Sequence, residues 1–531
     1  MNDLPVTHET MLDLLAHTVG NRSGAAAIHY FGCTLSWQEF DEISDDLARG
    51  LAAQSVTAGD RVGLLMQNVP QYMLALAAIW KVGAAAVPIN PMLTPTDVRF
   101  ILEDSDAAAL VGLDTLIERV LTPAAREQFT DLVTVTTTAE QYATSWPSAL
   151  DLPKAVDVPG AVTWQQLLHA DRVRPLPTVT AEHPAVLTYT SGTTGPPKGA
   201  LNTHANVVFA CRFYEYWADL DDTDVILAIA PLFHITGLVG HMGPAITTGA
   251  SLVLGYRFDV NVIADLIEQY RPTFTIGAIT AFIALMTDPV VKHRDLKSLT
   301  TVYSGGAPIA PTTVDDFERT FGPYIHNIYG LTEATGPCLA VPRGARAPVD
   351  PSTGALAAGV PVCNTEVKIV REDGNTADPG EPGELAMRGP QVVPGYWRRE
   401  AETSNAIRDG WLYTGDVAVQ DDEGWFYIVD RLKDQINASG FKVWPREVED
   451  ALVSHPDVVE AAVIGVPDAY RGETVKAFVV LIAGSTASTD DLIRHSRERL
   501  AAYKYPRLLD IVDELPRTAS GKVLRRALRS T

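Results

Sequence analysis

Along the first half of the chain, apolar residues fall at helical spacing and in short strand-like runs by turns. Thr10 to Val19 predicts a helix with Met11, Leu14, Leu15 and Thr18 on one side. Trp37 to Gln54 predicts another, with Phe40, Ile43, Leu47 and Leu51 aligned. The strand Val62 to Met66, the helix Tyr72 to Val82 and the strand Ala84 to Pro88 then follow. Strand, helix, strand in this order predicts parallel βαβ units and a doubly wound α/β sheet. Pro123 to Thr180 is rich in Pro, Thr and Ala and reads as an irregular surface excursion.

The alternation resumes beyond residue 184. Strands are expected at Ala185 to Leu187, Val225 to Ile229, Phe274 to Ile276, Leu299 to Tyr303 and Ile325 to Tyr329. Helices are expected at Val262 to Tyr270 and Ala281 to Thr287. From Val360 the pattern shifts to short strands broken by Asp373-Gly374 and Pro382-Gly383, a small β region. The charged stretch Asp430 to Asp434 follows an apolar strand and marks the expected domain boundary. Beyond it lies a compact α+β unit. Its expected helices are Arg446 to Val453 and Asp490 to Ala501, and its strands Ala461 to Val466, Thr474 to Leu481 and Leu508 to Val512.

A chain of 531 residues exceeds one hydrophobic core, so at least two domains are expected. The net charge of −23 argues against nucleic acid or an anionic membrane as partner. Cys33, Cys211, Cys338 and Cys363 form no CxxC pair, which indicates neither a zinc site nor a disulfide framework. The N-terminus lacks the basic and apolar regions of a signal peptide, so the expected compartment is the cytoplasm. Val225 to Leu254 is the most apolar stretch, but its prolines, glycines and histidines read as buried core and not a membrane span.

The chemistry concentrates in Thr188 to Gly199, TYTSGTTGPPKG. Ser191, Thr193 and Thr194 supply hydroxyls, Gly192, Gly195 and Gly199 allow close backbone approach, and Lys198 adds a cation. Such a loop suits a polyphosphate. It is not the P-loop of G-x-x-x-x-G-K-[ST], because Pro197 holds the second glycine's place and Gly199 follows the lysine. Phe233-His234, Gly305-Gly306 and Tyr329-Gly330 also fall at expected strand ends, where open α/β sheets bind ligands.

Eight stretches, in order, resemble the adenylate-forming enzymes, and most closely the acyl-CoA synthetases. They are YTSGTTGPPKG from Tyr189, PLFHITG from Pro231, SGGAP from Ser304, YGLTE from Tyr329, YTGD from Tyr413, DRLKD from Asp430, SGFKV from Ser439 and PRTASGKVLR from Pro516. The resemblance covers nearly the whole chain. It implies an ATP- and acyl-binding domain over 1–430, a hinge over 431–434 centred on Lys433, and a mobile C-terminal domain over 435–531. It implies that ATP, Mg2+ and CoA are used, that acyl-AMP forms with loss of pyrophosphate, and that the acyl group passes to CoA.

By the same resemblance, ATP or AMP is held by Thr190 to Gly195, Lys198, Gly306, Ala307, Pro308, Asn327, Tyr329, Gly330, Thr332, Asp416, Ile428 and Arg431. Lys522, His234, Thr332 and Glu333 are the expected catalytic residues, with Glu333 on the magnesium ion. Ser439, Gly440, Phe441 and Lys442 are expected at CoA.

The chemical types agree with those roles. An ionised aspartate accepts from two ribose hydroxyls. A carboxylate suits a hard cation, although Glu333 also reads as a helix N-terminal carboxylate. The acyl pocket is expected among Phe213, His234, Gly237, Ala278, Ile279, Gly305 and Gly330. His234 stands where peptide-synthetase domains usually carry an aspartate, so a buried substrate ammonium would lack a partner and an α-amino acid is disfavoured. Gly277-Ala278-Ile279-Thr280 lacks the proline the family often shows there.

The leading expectation is therefore a CoA ligase for a hydrophobic acid, a fatty acid first. The alternatives are an adenylating enzyme that serves a carrier-protein thiol or an amine, and a non-catalytic nucleotide- or acyl-binding regulator. Oligomeric state, a homodimer included, is not legible.

Overall fold

The computed structural model describes residues 4–5, 9–170, 175–190, 196–351, 354–431, 434–438, 441–468, 472–482, 484–517 and 523–529. As expected, a large N-terminal α/β domain with parallel sheets precedes a smaller C-terminal one.

Two sheets dominate the large part. One has seven strands in the spatial order Val162–Thr163, Val133–Thr137, Ala109–Leu113, Arg61–Leu65, Ala85–Pro88, Pro184–Thr190 and Lys198–Thr203. All neighbours are parallel except the last pair, which forms an antiparallel hairpin. The other has nine strands. Its parallel centre runs Ile325–Leu331, Thr301–Gly305, Phe274–Gly277, Val225–Leu227, Ser251–Leu254 and Ala26–Tyr30, with antiparallel strands at both edges. Helices cover these sheets, and one continuous apolar core runs through both. Trp37, Phe40, Trp80, Phe213 and Phe274 are among its fully buried side chains.

Local chemistry sets where the helices begin. Thr10 and Asp13 form a reciprocal capping box on the helix Met11–Arg22, as Ser36 and Glu39 do on Trp37–Ala53. Pro70 opens the helix Pro70–Lys81, where its missing N–H costs nothing.

The stretch Pro123 to Thr180 is less irregular than its composition implies. Val133–Thr137 is a full sheet strand paired with Ala109–Leu113, because its alternating Val and Thr are β-branched and fit a pleated surface. Trp164 is buried at the start of a short helix capped by Thr163.

The small β region is a five-stranded antiparallel sheet that includes Gly383–Arg388, Trp411–Gln420 and Phe426–Arg431. After it, Val458–Asp468 and Gly472–Leu481 form the long hairpin of a second five-stranded sheet. The helices Pro445–Val453 and Thr489–Arg497 accompany this sheet, and apolar clusters made only of residues from 436 onward fill the unit.

Candidate functional site

The site forms at the carboxyl ends of the parallel strands. Pro184–Thr190 ends at the Ser/Thr/Gly loop, and Lys198–Thr203 returns from it, so the loop tips a hairpin. Ser191 to Gly195 lie outside the described residues. The base of the hairpin is tightly specified. Thr188 Oγ1 donates to Asn202 Oδ1 at 2.9 Å. Asn202 Nδ2 then donates to Thr332 O at 3.1 Å and to Thr335 Oγ1 at 2.9 Å. Asn202 and Thr335 are both 0 % exposed. A buried amide with both ends paired fixes geometry, since leaving either end unpaired costs about 1–3 kcal/mol. The stitch joins the phosphate hairpin of one sheet to Thr332-Glu333 of the other.

Glu333 has its own orienting partner. Tyr396 Oη donates to Glu333 Oε1 at 2.7 Å, and Val393 N donates to Glu333 O at 2.9 Å. Burial and the Glu333 charge push the Tyr396 phenol well above its ordinary pKa, so it stays a donor. Leu201 N donates to Gly395 O, and Trp397 N to Gly199 O, so this segment docks along the return strand of the hairpin. Lys198 Nζ lies 5.5 Å from the centre of the Tyr396 ring. Sequence reasoning missed Tyr396 and Asn202. A Gly-Tyr-Trp run in a turn-rich region was the available signal for the first, and there was none for the second.

Glu333 Oε2 has no hydrogen bond from any described residue. Among the described residues, no group of three or more His, Cys, Asp or Glu side chains surrounds a metal position. One oriented carboxylate beside a phosphate loop fits Mg2+, which is commonly held by one or two carboxylates plus substrate phosphates. When bound there, the ion offsets phosphate charge.

Asp416 is 6 % exposed, and its Oδ2 accepts from Tyr329 Oη at 2.5 Å. Burial and the nearby Asp416 charge hold the Tyr329 phenol far above its ordinary pKa. The bond brings YGLTE and YTGD together across 87 residues. It also fixes the ring expected beside adenine. Arg431 pairs with Asp416 across the small sheet, and Ile428 with Ala418. Gly306, Ala307 and Pro308 are exposed at the end of Thr301–Gly305, available to a ligand. Asn327 is buried, and its Nδ2 donates to Ala357 O at 3.0 Å, a bond that braces the strand end.

His234 is exposed and caps the short helix Ile235–Gly237; its Nδ1 accepts from Thr236 N at 3.3 Å. The turn before it is held by Asn68, which accepts from Leu232 N and donates to Ala230 O. A π-helical turn, Leu238–Met242, follows. Such turns often accompany functional sites. Its His241 is fully buried and accepts from Ala230 N, and burial lowers its pKa to about 3.

Of the expected acyl-pocket residues, Ala278 and Gly330 are exposed, Gly305 is half-buried, and Phe213, Gly237 and Ile279 are buried. A Cβ on Gly330 would stand 2.1 Å from Gly336 O, and one on Gly305 2.4 Å from Ile328 O, so neither position admits a side chain. One layer below Ala278 and Gly305 on the same strand faces stand Ile276 and Tyr303, paired in register and both about 1 % exposed. Tyr303 Oη is buried with no hydrogen-bond partner. Sequence reasoning missed this layer.

Lys433, Ser439, Gly440 and Lys522 lie outside the described residues. Phe441 and Lys442 belong to the strand Phe441–Val443, which pairs with Ile436–Ala438.

Comparison with known proteins agrees with this architecture. The AMP-binding enzyme family matches residues 15–397, and the AMP-binding enzyme C-terminal domain matches 447–522. A long-chain-fatty-acid–CoA ligase of Bacillus subtilis is 34% identical, over 99% of this chain and 95% of its own. A feruloyl-CoA synthase of an Amycolatopsis species is 35% identical, over 95% of each. Among solved structures, an anthranilate CoA ligase in complex with anthranoyl-AMP superposes with a TM-score of 0.87 at 26% identity, covering 99% of this chain and 98% of the other. O-succinylbenzoate coenzyme A synthetase from Bacillus subtilis, in complex with ATP and magnesium ion, gives 0.83 at 28%, covering 98% and 100%.

Proposed function

This chain belongs to the AMP-binding enzyme family, and from that premise we propose that the acid it activates is hydrophobic, a fatty acid first. It is an AMP-forming acid–CoA ligase that uses ATP, Mg2+ and CoA. The observation that carries the substrate reading is the composition of the wall at the strand ends. Phe213, Gly237, Ala278, Ile279, Gly305 and Gly330 offer no charge, and the one polar group, His234, is exposed. A carboxylate placed beside His234 leaves its tail among apolar groups. Burying that tail contributes about 0.8 kcal/mol per methylene.

The proposed chemistry follows from charge. The acid's carboxylate attacks the α-phosphorus of ATP, a bond from phosphorus to the pyrophosphate oxygen breaks, and acyl-AMP remains. Anion approaches anion, so preorganised donors must offset the charge. Thr332 and the hairpin hydroxyls are assigned to the phosphates, and Lys522 to the acid oxygen and the α-phosphate. Asp416 accepts from the ribose hydroxyls, held in place by Tyr329. The thiol of CoA, bound at Ser439 to Lys442, then attacks the acyl carbon and AMP leaves. One cleft serves two reactions, so we assign residues 431–434 as a hinge about which the domain over 435–531 turns, relative to 1–430.

Compartment is read from chemistry. Among the described residues no helix is long and apolar enough to cross a membrane, and no disulfide joins the four cysteines. A reducing cytoplasm suits four cysteines without a disulfide.

A second reading, an aryl acid, has its own observation. Tyr303, Tyr214 and Phe274 form an aromatic layer with Phe213, and a feruloyl-CoA synthase is among the relatives.

ATP–pyrophosphate exchange across a panel of fatty, aryl and amino acids tests the proposal, with mass spectrometry of the CoA products. Exchange rising with aliphatic chain length supports the fatty-acid reading. Exchange confined to aryl acids moves the assignment to the second reading. Exchange only with amino acids, or products that are amides, refutes both.

A further inference from the structure

The residues on either side of the segment that carries Lys522 are anchored to each other. Arg517 and Val523 form a β-bridge, and Leu524 N donates to Pro516 O at 2.7 Å, so the chain on either side of residues 518–522 is drawn into a neck. Each side of the neck carries an arginine. Arg517 Nη2 grips Glu460 at 2.6 and 2.8 Å, but its side chain is 40% exposed. Exposed pairs of this kind contribute about 0–1 kcal/mol.

Arg525 is differently placed. Its side chain is 22% exposed against partners at 9% and 13%. Nη2 donates to both oxygens of Glu449, at 2.8 and 2.9 Å, and Nη1 reaches Asp434 Oδ2 at 3.3 Å and Asp430 Oδ1 at 3.6 Å. Glu449 in turn accepts from Val463 N at 2.8 Å, which ties the helix Pro445–Val453 to the strand Val458–Asp468. Asp430 accepts from Arg446 N at 2.8 Å. One guanidinium thus joins the end of the neck to the small-domain core and to both flanks of residues 431–433. A planar fork with fixed donor directions suits this, because it fixes angle as well as distance.

We propose that Arg525 is a positioning residue for acid activation: it anchors the base of the segment that carries Lys522, and it acts chiefly through Lys522. The inference rests on the reading of Lys522 as the residue that offsets charge at the α-phosphate. An ammonium on a flexible stem needs its base held. A displacement of about 1 Å in such a group costs on the order of 10²-fold in rate. Thioester formation does not use Lys522, so it should feel the anchor less, through the flanks of residues 431–433 only.

Removing the whole side chain takes the guanidinium from three carboxylates, so the primary variant is Arg525→Lys, which keeps the charge and loses the fork. Exchange and thioester formation from preformed acyl adenylate are measured separately, with melting temperature. Arg525→Lys should lower the maximal exchange rate at least roughly 10-fold, with KM for ATP unchanged and a smaller loss in thioester formation. Arg517→Lys, the exposed control, should leave exchange near wild type. Adding Arg525→Lys to Lys522→Ala should lower exchange no further, as expected for residues that act as a unit.

Equal loss in both half-reactions, unchanged exchange, or a further loss in the double variant overturns the inference. Lys522→Ala alone separates the two failures. If it exchanges normally, the Lys522 reading falls and takes the inference with it. If it abolishes exchange while Arg525→Lys does not lower it, only the inference falls.

Discussion

Replacing Asp416 by alanine should cost the enzyme its hold on ribose in both half-reactions. The structure sets the size of the effect. Asp416 is nearly buried, and one oxygen already accepts from Tyr329 at 2.5 Å. A hydrogen bond to a charged group contributes about 1.5–3 kcal/mol. Two ribose hydroxyls on this carboxylate therefore amount to about 3–6 kcal/mol, or roughly 10²–10⁴ in kcat/KM for ATP. Asp416→Asn keeps one acceptor on the same frame and should lose about half of that free energy. Tyr329→Phe leaves the carboxylate but removes its guide, and should fall between wild type and Asp416→Asn.

The assay compares ATP with 3′-deoxy-ATP in pyrophosphate exchange. Wild type should prefer ATP by roughly 10-fold or more. In Asp416→Ala that preference should collapse toward one, because the acceptor for the missing hydroxyl is gone. AMP binding in the thioester step should weaken in parallel. An Asp416→Ala enzyme that still discriminates against 3′-deoxy-ATP would refute the ribose assignment, whatever its overall rate. Loss of discrimination in Tyr329→Phe alone would place the hydroxyl contact on the phenol instead.

Three further outcomes follow from the same geometry. Tyr396→Phe removes the donor that orients Glu333 and should raise the Mg2+ concentration needed for half-maximal exchange by roughly 10-fold, the effect typical of a lost outer-shell partner; an unchanged Mg2+ profile would detach Glu333 from the metal. Lys433→Pro fixes φ near −65° at the proposed hinge and should slow thioester formation more than adenylation, so equal loss in both steps would put the hinge elsewhere. Stability should fall in mild acid. Burial lowers the pKa of His204 to about 4 and that of His241 to about 3, from 6.5 in the open chain. The unfolded chain takes up these protons first, so the stability they contribute is intact above pH 6.5 and is lost as pH falls toward 3, by up to about 1.4 kcal/mol per unit for each group. A melting temperature that stays flat between pH 6.5 and 4, or a slope that His204→Gln leaves unchanged, would contradict this.

What was legible beforehand divides along a physical line. Periodicity reports which face of an element is buried, and the helices and strands it predicted lie within a few residues of those observed, while the helices Pro95–Ser105, His204–Trp217 and Pro311–Phe321 went unpredicted. It misled where composition and burial part company, as at Val133–Thr137, a Thr-rich run that is nonetheless a sheet strand. The types of functional residue were also legible, because hydroxyls, glycines, a carboxylate and a lysine each have few chemical uses at a phosphate. Their supports were not. Asn202 holds Thr332 across 130 residues, and Tyr396 holds Glu333 across 63. Nothing local marks an asparagine in a strand, or one tyrosine among 17, as the partner of a distant group.

The arginine at 525 makes the limit plain. In sequence it is one charge in a basic tail, where a solvated side chain is the ordinary expectation. In the fold it meets Glu449 from one stretch of chain and Asp434 and Asp430 from another. A group that reacts must carry a particular chemistry, and chemistry is written in residue type. A group that holds it in place need only be polar and near, and nearness is a property of the folded chain. The supports are thus where structure adds most to sequence. They are also where substitutions separate geometry from chemistry, because Tyr396→Phe and Arg525→Lys leave every reacting group in the molecule.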